Sequence, residues 1–115
     1  MGNFDLNPHE IKPPHEANRP AILAWLVADM QKGWAGQELL VIKIKDRYQA
    51  WTGSHRIAAA CIVGLSLIPC YVISENDFEA CGVDVNRPVN NLQKLEALQK
   101  LGDERAIELI KDEGI

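Results

Sequence analysis

Residues 48–73, YQAWTGSHRIAAACIVGLSLIPCYVI, read as the end of a strand, a tight turn, a helix and a second strand. Between Gly53 and Gly64 the chain is apolar almost all round, from Ile57 through Ala58, Ala59, Ala60, Cys61 and Ile62 to Val63. That pattern predicts a helix over 54–63 buried on several sides. IPCYVI (68–73) is a further strand, and Pro69 restricts it to a strand start or a sheet edge. The helix opens on Ser54, His55 and Arg56. A helix amino terminus carries partial positive charge, so cationic side chains belong at its other end. An arginine and a titratable histidine in this place need a compensating anion.

Free N–H groups point outward from a first helical turn, and the dipole there favours negative charge. Gly53 lets the backbone approach a ligand closely. Ser54 can cap the helix or donate its hydroxyl. Arg56 can fork two hydrogen bonds to a phosphate, and a protonated His55 adds another donor. Turn, N–H array and guanidinium together describe a phosphate cradle. The other reading pairs Arg56 with an internal carboxylate, Asp29, Asp77 or Glu79, and leaves His55 as a surface residue. Residue types alone keep both open.

Upstream, residues 1–18 form an arm rich in Pro, Asn and His, with a short strand expected near Ile11. A helix is expected from Asn18–Pro20, since Asn caps and Pro suits a first turn, with Gly33 as its stop. LLVIKIK (39–45) and YQAWT (48–52) read as a hairpin turning at Asp46-Arg47. Downstream of residue 74 the chain predicts a short helix or turn, a loop, and two amphipathic helices. Asn91 and Asp103 are their expected caps, Gly102 and Gly114 their stops, and Leu92, Leu95, Leu98, Ile107 and Ile110 their apolar stripe.

The 115 residues, 47% hydrophobic and 24% charged, suffice for one core. No apolar run approaches the roughly 20 residues a membrane helix needs, and MGNFDLNPHEIKPPHE lacks the layout of a secretory signal. Cys61, Cys70 and Cys81 are odd in number with no C-x-x-C spacing, which suits buried thiols in a reducing compartment. The expected location is cytoplasmic. Net charge is −4, divided as +1 over residues 1–74 and −5 over 75–115. An acidic tail is poor equipment for gripping a phosphodiester backbone, where affinity comes from many cationic contacts. A bound anion should therefore be small and held locally.

The 48–73 stretch resembles the core motif of the ParB/sulfiredoxin superfamily. Its members share a strand, a Gly-x-His/Arg-Arg turn, an Ala-rich helix, a Gly-Leu pair, then Ile-Pro and a strand of small apolar residues. KGWAGQELLVIKIK (32–45) fits the preceding helix end and strand, and the likeness spans roughly residues 10–80. It implies an α/β (α+β) fold: a small domain with a short mixed sheet, the buried helix after GSHR, and a C-terminal pair of amphipathic helices. Residues 1–80 would form the ParB/sulfiredoxin-like domain, and 81–115 a helical extension packed on it. The turn would bind nucleotide phosphates, with ATP or CTP and Mg²⁺ as the implied cofactors and phosphoryl transfer or hydrolysis as the implied chemistry. Sulfiredoxins transfer phosphate from ATP, and ParB proteins hydrolyse CTP while clamping DNA.

Gly53, Ser54, His55 and Arg56 fall on the phosphate-binding turn, with Thr52 before it. Arg19, in NRP, falls where relatives keep an Arg ahead of the first helix. Sulfiredoxin has its nucleophilic Cys where this chain has Ser54, which argues against sulfinic-acid repair. ParB proteins usually have Glu and a second Arg at positions 54 and 55, and kinase-like relatives an Asp where Thr52 stands. A carboxylate for Mg²⁺ or for base catalysis must then come from Asp29, Glu10 or Glu16, leaving His55, Asp29 and Glu16 as the catalytic candidates. Two alternatives remain. One is a non-catalytic module that binds a protein or its own copy through residues 91–113; the other is a DNA-associated ParB-like nuclease, against which the acidic balance counts.

Weaker signals have plainer readings. HEIKPPHE (9–16) offers two His-Glu pairs, but a Pro-broken arm fixes no metal-binding face and suits a solvated loop. Trp25, Trp34 and Trp51 can stack a base or fill a core, and Trp51 lies nearest the turn. Lys43, Lys45 and Arg47 suit a charged edge that guards against aggregation more than an anion-steering patch.

Overall fold

The computed structural model describes residues 2–113. Its centre is strand β3, Leu39–Ile44. LLVIKI alternates only at its end because the strand is covered on both faces, where a continuous apolar run is stable. Leu39 and Val41 point to one side, Leu40, Ile42 and Ile44 to the other, and each group joins a separate buried cluster.

Five strands form one mixed sheet in the order β1-β5-β3-β4-β2. β1 is Gly2–Leu6, β2 Ile11–Lys12, β4 Arg47–Ala50 and β5 Ile68–Ser74. β3 runs antiparallel to β4 and parallel to β5, with Leu39 opposite Cys70 and Val41 opposite both Val72 and Ala50. β1 adds antiparallel to β5, and β2 parallel to β4. The strand expected near Ile11 is present. The arm also contributes β1, which its polar GNFDL sequence does not signal. The hairpin turns at Lys45-Asp46, one residue earlier than Asp46-Arg47, with Lys45 in the left-handed region at φ 58°.

One face of the sheet carries α1, Pro20–Asp29, and α2, Ser54–Val63. Leu26, Met30, Ile57, Ala59 and Ala60 meet Leu39, Val41, Cys70 and Val72 there. α2 is less enclosed than its sequence suggests, since Ile62 is exposed. Small residues at 58–60 instead let α2 lie close to α1 and the sheet.

The other face carries α3, Glu75–Ala80, α4, Asn91–Leu101, and α5, Glu104–Lys111. Phe78, Leu95, Leu98, Leu109 and Ile110 cover Leu40, Ile42 and Ile73. Each such fully buried side chain contributes about 1.5–3 kcal/mol, so the acidic tail helices are integral to the sheet's stability. Leu92 does not belong to this stripe and is exposed, and the cap of α4 is Asn90, not Asn91: the Asn90 side chain accepts from Gln93 N–H at 2.8 Å, which makes Asn91 the first helical residue. Asp103 caps α5 as expected, accepting from Ala106 N–H at 3.0 Å and from the Tyr71 hydroxyl at 2.7 Å. Gly114, the expected stop, lies outside the described residues. Among those residues no helix is long and apolar enough to cross a membrane.

The three cysteines occupy different environments: Cys70 buried in the sheet, Cys61 half-buried and Cys81 exposed. Burial, with a smaller contribution from Asp5, pushes the Cys70 thiol up to about 12. The thiolate is the reactive form. Iodoacetamide at pH 8 is therefore expected to label Cys81 rapidly and leave Cys70 unlabelled until the protein is denatured; labelling of native Cys70 at the rate of Cys81, read by peptide mass, contradicts the packing.

Candidate functional site

The turn between β4 and α2 is shaped by its neighbours on β3. Trp51 N–H continues the ladder by donating to the Leu40 carbonyl at 2.8 Å. Thr52 then ends it, its Oγ1 accepting from Leu40 N–H at 2.9 Å in place of a backbone carbonyl. The residue is almost wholly buried. Thr52 therefore holds the turn in place, and it does not line the larger cavity at the α2 N-terminus.

Gly53 follows in the left-handed region at φ 84°. A Cβ here would overlap Cδ2 of Leu39. Only glycine fits, for reasons of conformation and of space together. The turn sends the chain directly into α2, with Gly53 as a cap that offers no side chain. Ser54 is not the cap; its Oγ instead accepts from His15 N–H at 3.2 Å.

Around this terminus lies a cavity of about 460 Å³, within the size range of small-ligand sites. Gly53, Ser54, His55 and Arg56 line it, with His15 from the arm, Trp25 and Asp29 from α1, Gly36 and Gln37 from the loop before β3, and Asp112 and Glu113 from beyond α5. Another cavity of similar size, about 490 Å³, sits against α4, but its Asp84, Arg87, Glu96 and Lys100 mix both signs of charge and set up no anion-directed field.

Arg56 Nη1 donates to the Gln37 carbonyl at 2.6 Å, and the guanidinium lies 5.5 Å from the centre of the Trp34 ring. None of Asp29, Asp77 and Glu79 pairs with it, and among the described residues it makes no ion pair. Burial pushes its pKa down, opposed by the charges of Glu113, Asp112 and Glu38. Glu38 itself is committed to Arg105, which holds its carboxyl below the ordinary value. A half-buried cation without a direct counter-ion is the electrostatic core of the site.

One internal acid does enter the cradle. The Gly53 N–H donates to Oε1 of Glu113 at 2.9 Å. This contact joins residues sixty positions apart, and nothing local in the sequence announces it. Thus the turn already accepts a carboxylate at its first N–H, while the cavity extends beyond it.

The arm folds over the same corner. Arg19 N–H donates to His55 Nε2 at 3.1 Å, which assigns the proton of neutral His55 to Nδ1. The rings of His15 and His55 meet edge-on, 6.2 Å apart. Arg19 therefore enters the site through its backbone, and His55 latches the arm while lining the cavity. Of the proposed carboxylates, Asp29 lines the cavity, whereas Glu16 and Glu10 do not; both are exposed on the arm. Trp51 takes the core-filling alternative: it is buried against Phe78, ring centres 5.5 Å apart. Of the tryptophans weighed for stacking, Trp25 lines the cavity and Trp34 meets it only through Arg56; Gln37 and Glu113 are the lining residues that sequence reasoning did not place.

Chains of known structure share this architecture. A sulfiredoxin from Arabidopsis thaliana superposes with a TM-score of 0.57 at 19% identity, over 70% of this chain and 96% of its own. The C-terminally truncated chromosome-partitioning protein ParB from Caulobacter crescentus, complexed with CTP-γ-S, superposes at 0.61 with 22% identity, over 86% of this chain. The fold is ParB/sulfiredoxin-like. The same ParB complexed to the centromeric parS site gives 0.53 at 18% identity. This chain spans 54% and 65% of the two ParB chains. No family model matches it, and neither does any curated protein.

The ParB/sulfiredoxin-like turn depends on Gly53 twice over, so Gly53→Ala is expected to destabilise the protein by about 2–4 kcal/mol, combining left-handed strain with overpacking against Leu39. Chemical denaturation reads this directly. A loss below about 0.5 kcal/mol, the scale of a surface substitution, would show that the turn relaxes freely.

Proposed function

We propose that the chain binds the phosphates of a nucleoside triphosphate at Gly53–Arg56. The observation that carries this reading is the coincidence, at one open cavity, of an uncapped helix N-terminus and an unpaired, half-buried guanidinium. Backbone N–H groups there satisfy phosphate oxygens, and Arg56 supplies a formal charge in partly desolvated surroundings. The ParB complex with CTP-γ-S supports the reading by fold, since that protein holds a nucleotide on a related scaffold.

Mg²⁺ fits this site in a limited way. The described residues bring together no cluster of three ligating side chains. Asp29 and Asp112 nevertheless line the cavity, and Mg²⁺ is often held by one or two carboxylates plus substrate phosphates. Those two residues would hold it, and the ion would neutralise charge on the phosphoryl group during transfer or hydrolysis. Where Asp112 alone holds the ion, Asp29 is left as the candidate base. His55 would orient the phosphoryl group through Nδ1–H, its Nε2 being engaged by the arm.

The Glu113 contact favours a second reading, in which the cradle is permanently filled by the chain itself and serves to fasten the tail. The two readings differ in what calorimetric titration with ATP, CTP and GTP, with and without Mg²⁺, will show; a product assay then separates binding from turnover.

Arg56→Ala is expected to weaken nucleotide binding by roughly 10- to 100-fold, the worth of hydrogen bonds to a charged group, while circular dichroism stays native. Unchanged affinity in the folded variant overturns the site. Glu113→Ala is expected to act in the opposite direction, tightening binding about two- to fivefold by removing a competing carboxylate from the helix terminus. Weaker binding in that variant would assign Glu113 to the ligand's own contacts and remove the competition.

A further inference from the structure

The three tryptophans have separate fates. Trp51 is sealed in the core against Phe78. Trp34 has one face under the Arg56 guanidinium and its indole N–H on the Gln37 carbonyl at 3.1 Å. Trp25 is 65% exposed and lines the cavity that holds the Gly53–Arg56 turn. Ile22, one turn before it on α1 and also exposed, lines the same cavity. A large aromatic left in water on the wall of a cavity has apolar surface to bury and a free π-face to offer.

The cavity therefore combines two kinds of wall: backbone N–H groups and Arg56 supply a cationic one, and Trp25 with Ile22 an apolar one. A bare polyphosphate satisfies only the first. A molecule with a polyanion at one end and a planar ring at the other satisfies both.

We propose that Trp25 is the base-stacking residue of this site, the element that makes its ligand a nucleotide and not a simple phosphate compound. The inference rests on the phosphate-binding role of Gly53–Arg56 and extends it to the other half of the ligand. Stacking on an indole face tolerates every base. Trp25 thus separates nucleotides from inorganic polyphosphates without choosing among ATP, CTP and GTP.

The test pairs each nucleotide with inorganic tripolyphosphate, titrated into the wild-type chain, Trp25→Ala and Trp25→Phe. Trp25 is exposed, so the variants should melt as the wild type does. Trp25→Ala is expected to weaken all three nucleotides by roughly 5- to 100-fold. Its tripolyphosphate affinity should stay within about twofold, the scatter of independent sites. Trp25→Phe should recover most of the loss. Nucleotide should quench tryptophan emission in the wild type, and that quench should be lost in Trp25→Ala.

Equal losses for nucleotide and tripolyphosphate, or unchanged nucleotide affinity, overturn the stacking role while leaving the phosphate cradle standing. A wild-type chain that binds neither probe sinks cradle and stacking role together. Self-association of the wild type that Trp25→Ala abolishes, with nucleotide affinity intact, assigns the Ile22–Trp25 face to a second copy of the chain and also overturns the role.

Discussion

The contact between Gly53 and Leu39 sets the geometry of everything at this corner. β3 begins at Leu39, and its side chain fills the space a Cβ on Gly53 would occupy. Thr52 spends its hydroxyl on Leu40 N–H, so the ladder closes one residue before the glycine. The chain must then leave the sheet in a left-handed step, which only glycine takes without strain. α2 starts at the next residue with no capping side chain of its own, the Glu113 carboxylate reaching only the Gly53 N–H. A Ser or Asp in the cap position would have consumed one of the N–H groups, as Asn90 and Asp103 do for α4 and α5. The same constraint that ends the strand leaves the helix terminus free to meet an outside acceptor.

Charge placement follows from that geometry. Arg56 lies in the first turn, against the helix dipole, and is held by a neutral carbonyl and an aromatic face. These contacts fix its position without neutralising it. Glu38, the acid nearest in sequence to Gln37, is turned toward Arg105. The fold thus diverts one carboxylate from Arg56 and leaves the cation facing a cavity. Structural arginines usually complete an ion pair when they lose water, because an uncompensated buried charge is costly. Arg56 keeps that cost within bounds by remaining only partly buried.

The sequence made the local half of this arrangement legible. Gly53, the helix over 54–63, the Gly64 stop and the strand at 68 follow from propensity and punctuation that tertiary contacts do not override. The family resemblance of the same stretch led to the ParB/sulfiredoxin-like fold. What escaped was non-local. β1 is polar and gains its place only by pairing with β5. Thr52 looks like a site residue until the opposite strand claims its hydroxyl. Glu16 and Asp29 are equivalent as residue types, and only the path of the arm separates them. Trp51 is nearest the turn in sequence but points through the sheet to the other face, whereas Trp25, 28 positions from Gly53 along the chain, shares its cavity.

The Glu113 carboxylate gives the site a threshold. It contributes one negative charge at one N–H, while Asp112 adds a second charge to the same cavity wall. A monovalent anion arriving from solvent would exchange one charge for another and gain little, after losing its own hydration. A triphosphate brings several charges and many acceptor oxygens, enough to engage the N–H array and Arg56 together. Its approach also raises repulsion with Glu113 and Asp112, which a divalent cation between phosphate and Asp112 would relieve. In the proposed function, two carboxylates in the same cavity as Arg56 would favour polyanions accompanied by metal over monovalent anions alone. On the same proposal the acidic tail, which counts against a phosphodiester backbone, would set how much charge a small bound ligand must carry.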